Sequence, residues 1–198
     1  MATIYDLKPK FQNLLRPIVN FLAHKHVTPN QVTWAAFILS ISFGLLIAFT
    51  NGAMWSLLFV PVVMFVRMAL NAIDGMLAKE HNMQTKVGAI LNEMSDVIAD
   101  TALYLPLIFV SGINDVVIIL FVITGILTEM AGVLSASLGG ERRYDGPMGK
   151  SDRAFVFGFV CLVLGFGIEA GVWVDILLGI ATILGVLTVL NRCKGALQ

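Results

Sequence analysis

The sequence predicts an all-α integral membrane protein, with an N-terminal amphipathic interfacial helix and six transmembrane helices around a polar cavity that faces the cytosol. Three observations predict it. Hydrophobic residues fill 58% of the 198 positions and charged residues only 13%, and the mean hydropathy of +0.86 lies outside the soluble globular range. Six mainly apolar runs follow one another, each about 17 residues or longer and so able to cross about 30 Å of hydrocarbon. Twelve of the 13 Lys and Arg fall on one set of alternate connections, while the opposite loops carry Asp115 and Glu169 and no base. The positive-inside rule then places both termini on the cytoplasmic side.

Residues 4–24 set Ile4, Leu7, Phe11, Leu14, Leu15, Ile18 and Leu22 at helical spacing, with Lys8, Lys10 and Arg16 off that face. The segment is too polar to span and reads as a helix lying in the headgroup layer or docked on the bundle. Pro9 and Pro17 are expected to bend or interrupt it. With Asp6 and four bases before Thr28, residues 1–28 do not resemble a signal peptide.

The first span, about 30–50, starts at Pro29 with Thr28 as its N-cap. Asn51-Gly52 is a tight turn before a second span of about 53–79. A third covers about 85–110 and a fourth about 115–138, ending at Gly139-Gly140. The polar connection GGERRYDGPMGKSDR leads to a fifth span of about 153–168, and a sixth runs from about 172 to 191. The whole chain, 1–198, is thus one membrane domain, with the bundle occupying 29–192. Gly44, Gly125, Gly132, Gly158, Gly165, Gly179 and Gly185 lie in apolar spans, where small residues permit close helix contact. Cys161 and Cys193 lack metal-ligand spacing and read as reduced packing residues. His24, His26 and His81 lack ligand spacing and read as solvated.

The junction between the second and third spans carries the chemistry. At 100° per residue, Arg67, Asn71, Asp74 and Ala78 fall at about 0°, 40°, −20° and 20° on the first helix. On the second, Asn92, Asp96, Asp100 and Glu93 fall at about 0°, 40°, 80° and 100°. Two oxygen-rich stripes joined by a short polar turn can enclose a hard cation. Charges in membrane helices are costly and mark cavities or substrate paths. Arg142, Arg143, Lys150 and Arg153 form a second constellation on the same membrane side, suited to anionic headgroups or to a phosphorylated acceptor. Arg67 and Glu129 need partners in the low dielectric, either each other or Asp74 for Arg67. A formal net charge of +0 argues against nucleic acid as a partner.

The junction resembles the signature of the CDP-alcohol phosphotransferases, D-x2-D-G-x2-A-R-x8-G-x3-D-x3-D. Asn71, Asp74, Gly75, Ala78, Lys79, Gly88, Asn92 and Asp96 occupy its positions without insertion. The departures are Asn71 and Asn92 in place of aspartates and Lys79 in place of arginine. The resemblance extends to the interfacial helix and six spans, and to a bacterial inner-membrane subgroup of the family. It implies transfer of a phosphatidyl group from CDP-diacylglycerol to a small polar alcohol, with CMP released and Mg²⁺ or Mn²⁺ (one or two ions) as cofactor. Asp96 is then the catalytic base. Asp74, Asn71, Asn92 and Asp96 are the metal positions, with Glu93 and Asp100 available to restore lost charge. Asn30, Thr33, Asp74, Gly75, Ala78, Lys79 and Gly88 meet the cytidine diphosphate. Arg142, Arg143, Lys150 and Arg153 meet the acceptor, which the basic loop tilts toward a phosphorylated polyol. A homodimer and a cytoplasmic active site are also implied. Two other classes stay open: a CDP-lipid-binding protein without turnover, motivated by Asn71 and Asn92, and a small transporter, against which the acids cluster at one end and no repeat is visible.

Overall fold

The computed structural model describes residues 4–197, with side chains from Pro9 onward. The side chains of Ile4, Asp6, Leu7 and Lys8, invoked above for the first helix, lie outside the described residues. Seven α-helices follow in order: α1 Ile4–His24, α2 Pro29–Phe49, α3 Met54–Glu80, α4 Lys86–Tyr104, α5 Asp115–Ser137, α6 Lys150–Gly165 and α7 Val172–Ala196. A short 3-10 helix, Leu105–Phe109, extends α4 where Pro106 cannot donate to the α-helical ladder. The six helices after α1 coincide with the six expected runs. By length and composition four of them, α2, α3, α5 and α7, can cross a membrane. The other two depart for identifiable reasons. Lys86, Glu93, Asp96 and Asp100 interrupt the hydropathy of α4, and α6 has only 16 residues.

Local signals explain the boundaries. Thr28 caps α2, with Gln31 returning a side-chain acceptor to the Thr28 N–H at 2.9 Å, a reciprocal capping box. Asn51 and Gly52 take φ of 49° and 65°, the left-handed turn expected there. α1 is not interrupted at Pro9 or Pro17, one of the two outcomes expected of them. Pro17 has no N–H to give the Asn13 carbonyl, and beside it Arg16 Nη1 donates to the Asn13 side-chain Oδ1 at 2.5 Å.

α1 packs on α3, where Leu15 and Val19 join Val32, Ile73, Met76 and Leu77 in a small core. Leu14, Ile18 and Phe21 lie on its exposed face. The main core, around Leu103, Tyr104, Phe121, Phe157 and Val160, fills the bundle beyond the polar ends. α2 packs along α3 and α4, α3 along α6, and α5 along α7. Gly44 makes the α2–α4 approach possible, because a Cβ there would collide with the Ala102 carbonyl. Gly44→Leu is accordingly expected to force the two helices apart, costing about 1–3 kcal/mol as overpacking and lowering the melting temperature in detergent. Gly158 and Gly179, by contrast, have nothing within 4 Å and are not contact glycines. Cys161 is buried, as expected of a packing residue, but Cys193 is exposed.

Candidate active site

α3 and α4 meet at a tight connection, His81–Thr85, in which Asn82 takes φ of 56°. Thr85 closes it by accepting the Gly88 N–H at 2.9 Å, which starts α4 with its polar stripe turned toward α3. The first turn of α2 completes the enclosure. Between these elements lies a cavity of about 650 Å³. All seven residues expected to meet the nucleotide line it, from Asn30 and Thr33 on α2 through Asp74, Gly75, Ala78 and Lys79 on α3 to Gly88 on α4. Asn71, Asn92, Glu93, Arg142 and Tyr144 share the lining. A Cβ on Gly75 would meet open space, so the missing side chain leaves cavity volume over the α3 backbone. Gly88 is different: a Cβ there would stand 2.7 Å from Asn30 Oδ1, and glycine lets α4 approach α2.

Asp74 is buried, and its Oδ2 lies 2.8 Å from the Thr33 hydroxyl, which also sits 3.1 Å from the Pro29 carbonyl. Asp96 is not among the residues that line this cavity, and its side chain is half-buried, 18% exposed. Its Oδ1 accepts from Asn71 Nδ2 at 2.9 Å and faces Arg67 Nη2 at 3.5 Å, while its Oδ2 meets Lys150 Nζ at 2.5 Å. Asn71 thus serves as a hydrogen-bond donor to the fourth motif position, a role closed to the aspartate of the family signature unless protonated.

The partners of Arg67 and Glu129 correct the sequence expectation. Arg67 pairs with neither Glu129 nor Asp74. It bonds Asp100 through Nη1, donates through Nη2 to the Asp96 carbonyl at 3.2 Å, and so ties α3 to the inner half of α4. Asp74 lies seven residues further along the same helix, about 10 Å of axial rise, on the cavity side. Glu129 instead gathers three arginines: Arg153 Nη2 at 2.8 Å, Arg142 Nη2 at 3.0 Å and Arg192 Nη1 at 3.8 Å.

The four bases expected at the acceptor side therefore separate. Arg142 lines the cavity and bridges Glu93 at 2.5 Å to Glu129. Lys150 holds Asp96. Arg153 is 2% exposed, bound to Glu129 and to the Thr128 hydroxyl at 2.6 Å. Arg143 turns away to Asp145 at 2.9 Å, and that exposed contact holds the Asp145 carboxyl below its ordinary range. Asp100, one turn deeper than Asp96, is held by Arg67 and lies 3.8 Å from Arg153, away from the cavity lining. His81 is half-buried, and its Nε2 is buried without a partner, so it is not the solvated side chain expected, unlike exposed His24 and His26.

Sequence reasoning missed Arg192 and Tyr144. Arg192, counted only among the bases after the last span, is 2% exposed and donates to the Thr128, Asp145 and Tyr144 carbonyls, pinning the 142–149 loop to α5. Tyr144 lines the cavity with its ring 4.8 Å from the Arg142 guanidinium carbon. Neither residue belongs to a spaced motif. The only signal for Arg192 was an arginine placed at the very end of an apolar run.

As a test of metal fit, the cavity wall offers the Asp74 carboxylate, the Asn71 and Asn92 amides and Glu93. With Asn71 Nδ2 turned to Asp96, its carbonyl oxygen accepts no hydrogen bond among the described residues. Among those residues, no group of three or more His, Cys, Asp or Glu is arranged to hold a metal. This oxygen set fits a hard divalent ion in donor type but is poor in charge. It matches an ion whose remaining ligands come from a pyrophosphate.

Comparison with known proteins agrees with the motif. A model of the CDP-alcohol phosphatidyltransferase family matches residues 26–190. The chain is 48% identical over 195 residues to inner membrane protein YnbA of Escherichia coli (strain K12), covering 98% of this chain and 96% of that protein. It is 31% identical over 104 residues to a phosphatidylinositol phosphate synthase of Corynebacterium glutamicum, 52% of this chain and 45% of that one. The fold matches the Mycobacterium tuberculosis phosphatidylinositol phosphate synthase crystallised with CDP-DAG bound, with TM-score 0.75, 19% identity and coverage of 91% and 92%. The same enzyme in complex with manganese and citrate gives TM-score 0.76 at 19% identity, covering 92% and 88%.

Proposed function

We propose, because this chain belongs to the CDP-alcohol phosphatidyltransferase family, that it moves a phosphatidyl group from CDP-diacylglycerol to the hydroxyl of a small polar alcohol and releases CMP. The observation that carries this reading is that one cavity, about 650 Å³, is lined by all seven residues assigned to the nucleotide. Lys79 supplies a point charge for the pyrophosphate. Gly75 leaves room for the nucleotide over the α3 backbone. Asp74, Asn71 and Asn92 would hold Mg²⁺ or Mn²⁺, with Glu93 adding charge from the same wall. Such an ion, when bound, offsets the negative charge that grows on the departing nucleotide.

The acceptor oxygen forms a bond to the lipid-side phosphorus as the bond from that phosphorus to the CMP oxygen breaks, and the acceptor proton passes to Asp96. Asn71, Arg67 and Lys150 fix the Asp96 carboxylate in one orientation. Oδ2, whose one partner among the described residues is Lys150, retains a lone pair for the acceptor hydroxyl. Asp100 acts by holding Arg67 in place instead of meeting the ion.

The homologue's name and the apolar helices support an inner-membrane setting. α4 and α6 lie against membrane-length α2 and α3, which supports six crossings, with termini and cavity on the cytoplasmic, positively charged side. The exposed Leu14, Ile18 and Phe21 of α1 suit the headgroup layer. A homodimer is part of the same reading through family resemblance.

A second reading, CDP-lipid binding without turnover, draws on the Lys150–Asp96 pair and the two motif asparagines. One assay separates them: CMP release from purified protein given CDP-diacylglycerol, Mn²⁺ or Mg²⁺ and a panel of alcohols. Metal- and acceptor-dependent release that falls about 100-fold or more in Asp96→Asn, within the range for a lost general base, is the expected result. Binding of CDP-diacylglycerol with no release from any acceptor would establish the second reading.

A further inference from the structure

We propose that Glu129 makes the acceptor side selective for an unphosphorylated alcohol, by engaging with its own carboxylate the arginines that a phosphate monoester would need. The inference rests on the phosphatidyl-transfer reading and names the substrate class of that site. Glu129 is 6% exposed on α5, and guanidinium groups from the 142–149 loop, α6 and α7 converge on it at 2.8–3.8 Å. Three arginines around one small anion are the arrangement that recognises phosphate oxygens, and here the anion is a side chain.

Their other guanidinium nitrogens are committed as well, apart from Arg142 Nε and Arg153 Nε, which are buried without a partner among the described residues. Arg142 Nη1 lies 2.5 Å from Glu93, Arg153 Nη1 donates to the Thr128 hydroxyl, and Arg192 donates to three backbone carbonyls. Lys150 is on Asp96, and Arg143 has left for Asp145. The connected network sets five cations, Arg67, Arg142, Lys150, Arg153 and Arg192, against four carboxylates, Glu93, Asp96, Asp100 and Glu129. Asp74 in the adjoining cavity is answered there by Lys79 and Lys86, charges that face the nucleotide and not Glu129. A phosphate monoester carries about −1.5 to −2 near neutral pH. Around Glu129 it would meet guanidinium groups already gathered on a carboxylate and would have to separate buried ion pairs to gain one. A neutral hydroxyl has no such requirement.

The test uses full-length protein with CDP-diacylglycerol and Mn²⁺, comparing CMP release for glycerol against glycerol 3-phosphate and inositol against inositol phosphate. Thermal melts of the same protein with inorganic phosphate run beside it. The expected result is at least a ten-fold higher kcat/KM for the unphosphorylated member that turns over, and no phosphate-dependent rise in Tm. Glu129→Gln, close in shape but without the charge, is expected to gain a Tm rise with phosphate and to narrow the acceptor ratio. Preference for a phosphorylated acceptor, or a phosphate-dependent Tm rise in the unaltered protein, overturns the inference and leaves phosphatidyl transfer intact. If Glu129→Gln does not fold, those two wild-type measurements still decide. CDP-diacylglycerol binding with no CMP release from any acceptor removes the transfer reading, and this inference with it.

Discussion

Asp74→Asn is expected to lower CMP release about 100- to 1,000-fold, the range for losing one preorganised electrostatic contact, while the protein stays folded. Two acids line the cavity, Asp74 and Glu93, and Glu93 is engaged by Arg142 at 2.5 Å. Asp74 is therefore the less neutralised anion available to a divalent ion, its near partner being the neutral Thr33 hydroxyl at 2.8 Å. Asparagine keeps the size and the acceptor oxygen for Thr33, so the substitution removes charge and little else. The initial rate at saturating CDP-diacylglycerol and rising Mn²⁺ checks this, with the melting temperature measured alongside. Partial recovery at high Mn²⁺ is expected, because weaker capture of the ion can be offset by mass action. A loss below ten-fold would move the metal role to Glu93.

Asp74 also shows how far the sequence could be read. Its place on a narrow stripe with Asn71 and Ala78 follows from helical periodicity, and its cavity position follows from the tight joint at 81–85. The apolar runs were equally readable, since membrane length and hydropathy are local properties, as are the Thr28 cap and the Asn51-Gly52 turn. What periodicity could not supply was the pairing of charges between helices. Arg67 shares its stripe with Asp74, yet its partner is on α4. Glu129 and Arg192 are 63 positions apart and meet because α5 packs along α7. The four bases 142–153 looked like one anion site because they share a short stretch. The fold sends Arg143 to Asp145 and Lys150 to Asp96 and leaves only Arg142 and Arg153 together, on Glu129, a result of packing that spacing does not encode.

Arg67→Met is expected to destabilise the protein by about 3–5 kcal/mol, the cost of leaving a buried charge without its partner. The guanidinium is 4% exposed and is the bonded partner of Asp100, whose next cation, Arg153, stands at 3.8 Å and is committed to Glu129. Methionine fills the space of the aliphatic stem without replacing any of the donors. For a chain of this size the change corresponds to a fall in Tm of roughly 10 °C, readable by thermal melts in detergent. The double substitution Arg67→Met with Asp100→Asn removes the stranded charge and is expected to recover most of that loss, since a buried pair removed together is often close to neutral. The coupling between the two positions, from a double-mutant cycle, reports the ion pair itself. If the double variant is as unstable as Arg67→Met alone, the stability comes from packing of the stem and not from the pair. Activity follows a separate course. Asp96 loses the Arg67 contacts to its carbonyl and Oδ1 in either variant, so CMP release is expected to stay low in the double variant even where stability returns. Recovery of both together would mean that Arg67 serves the fold and does not position Asp96.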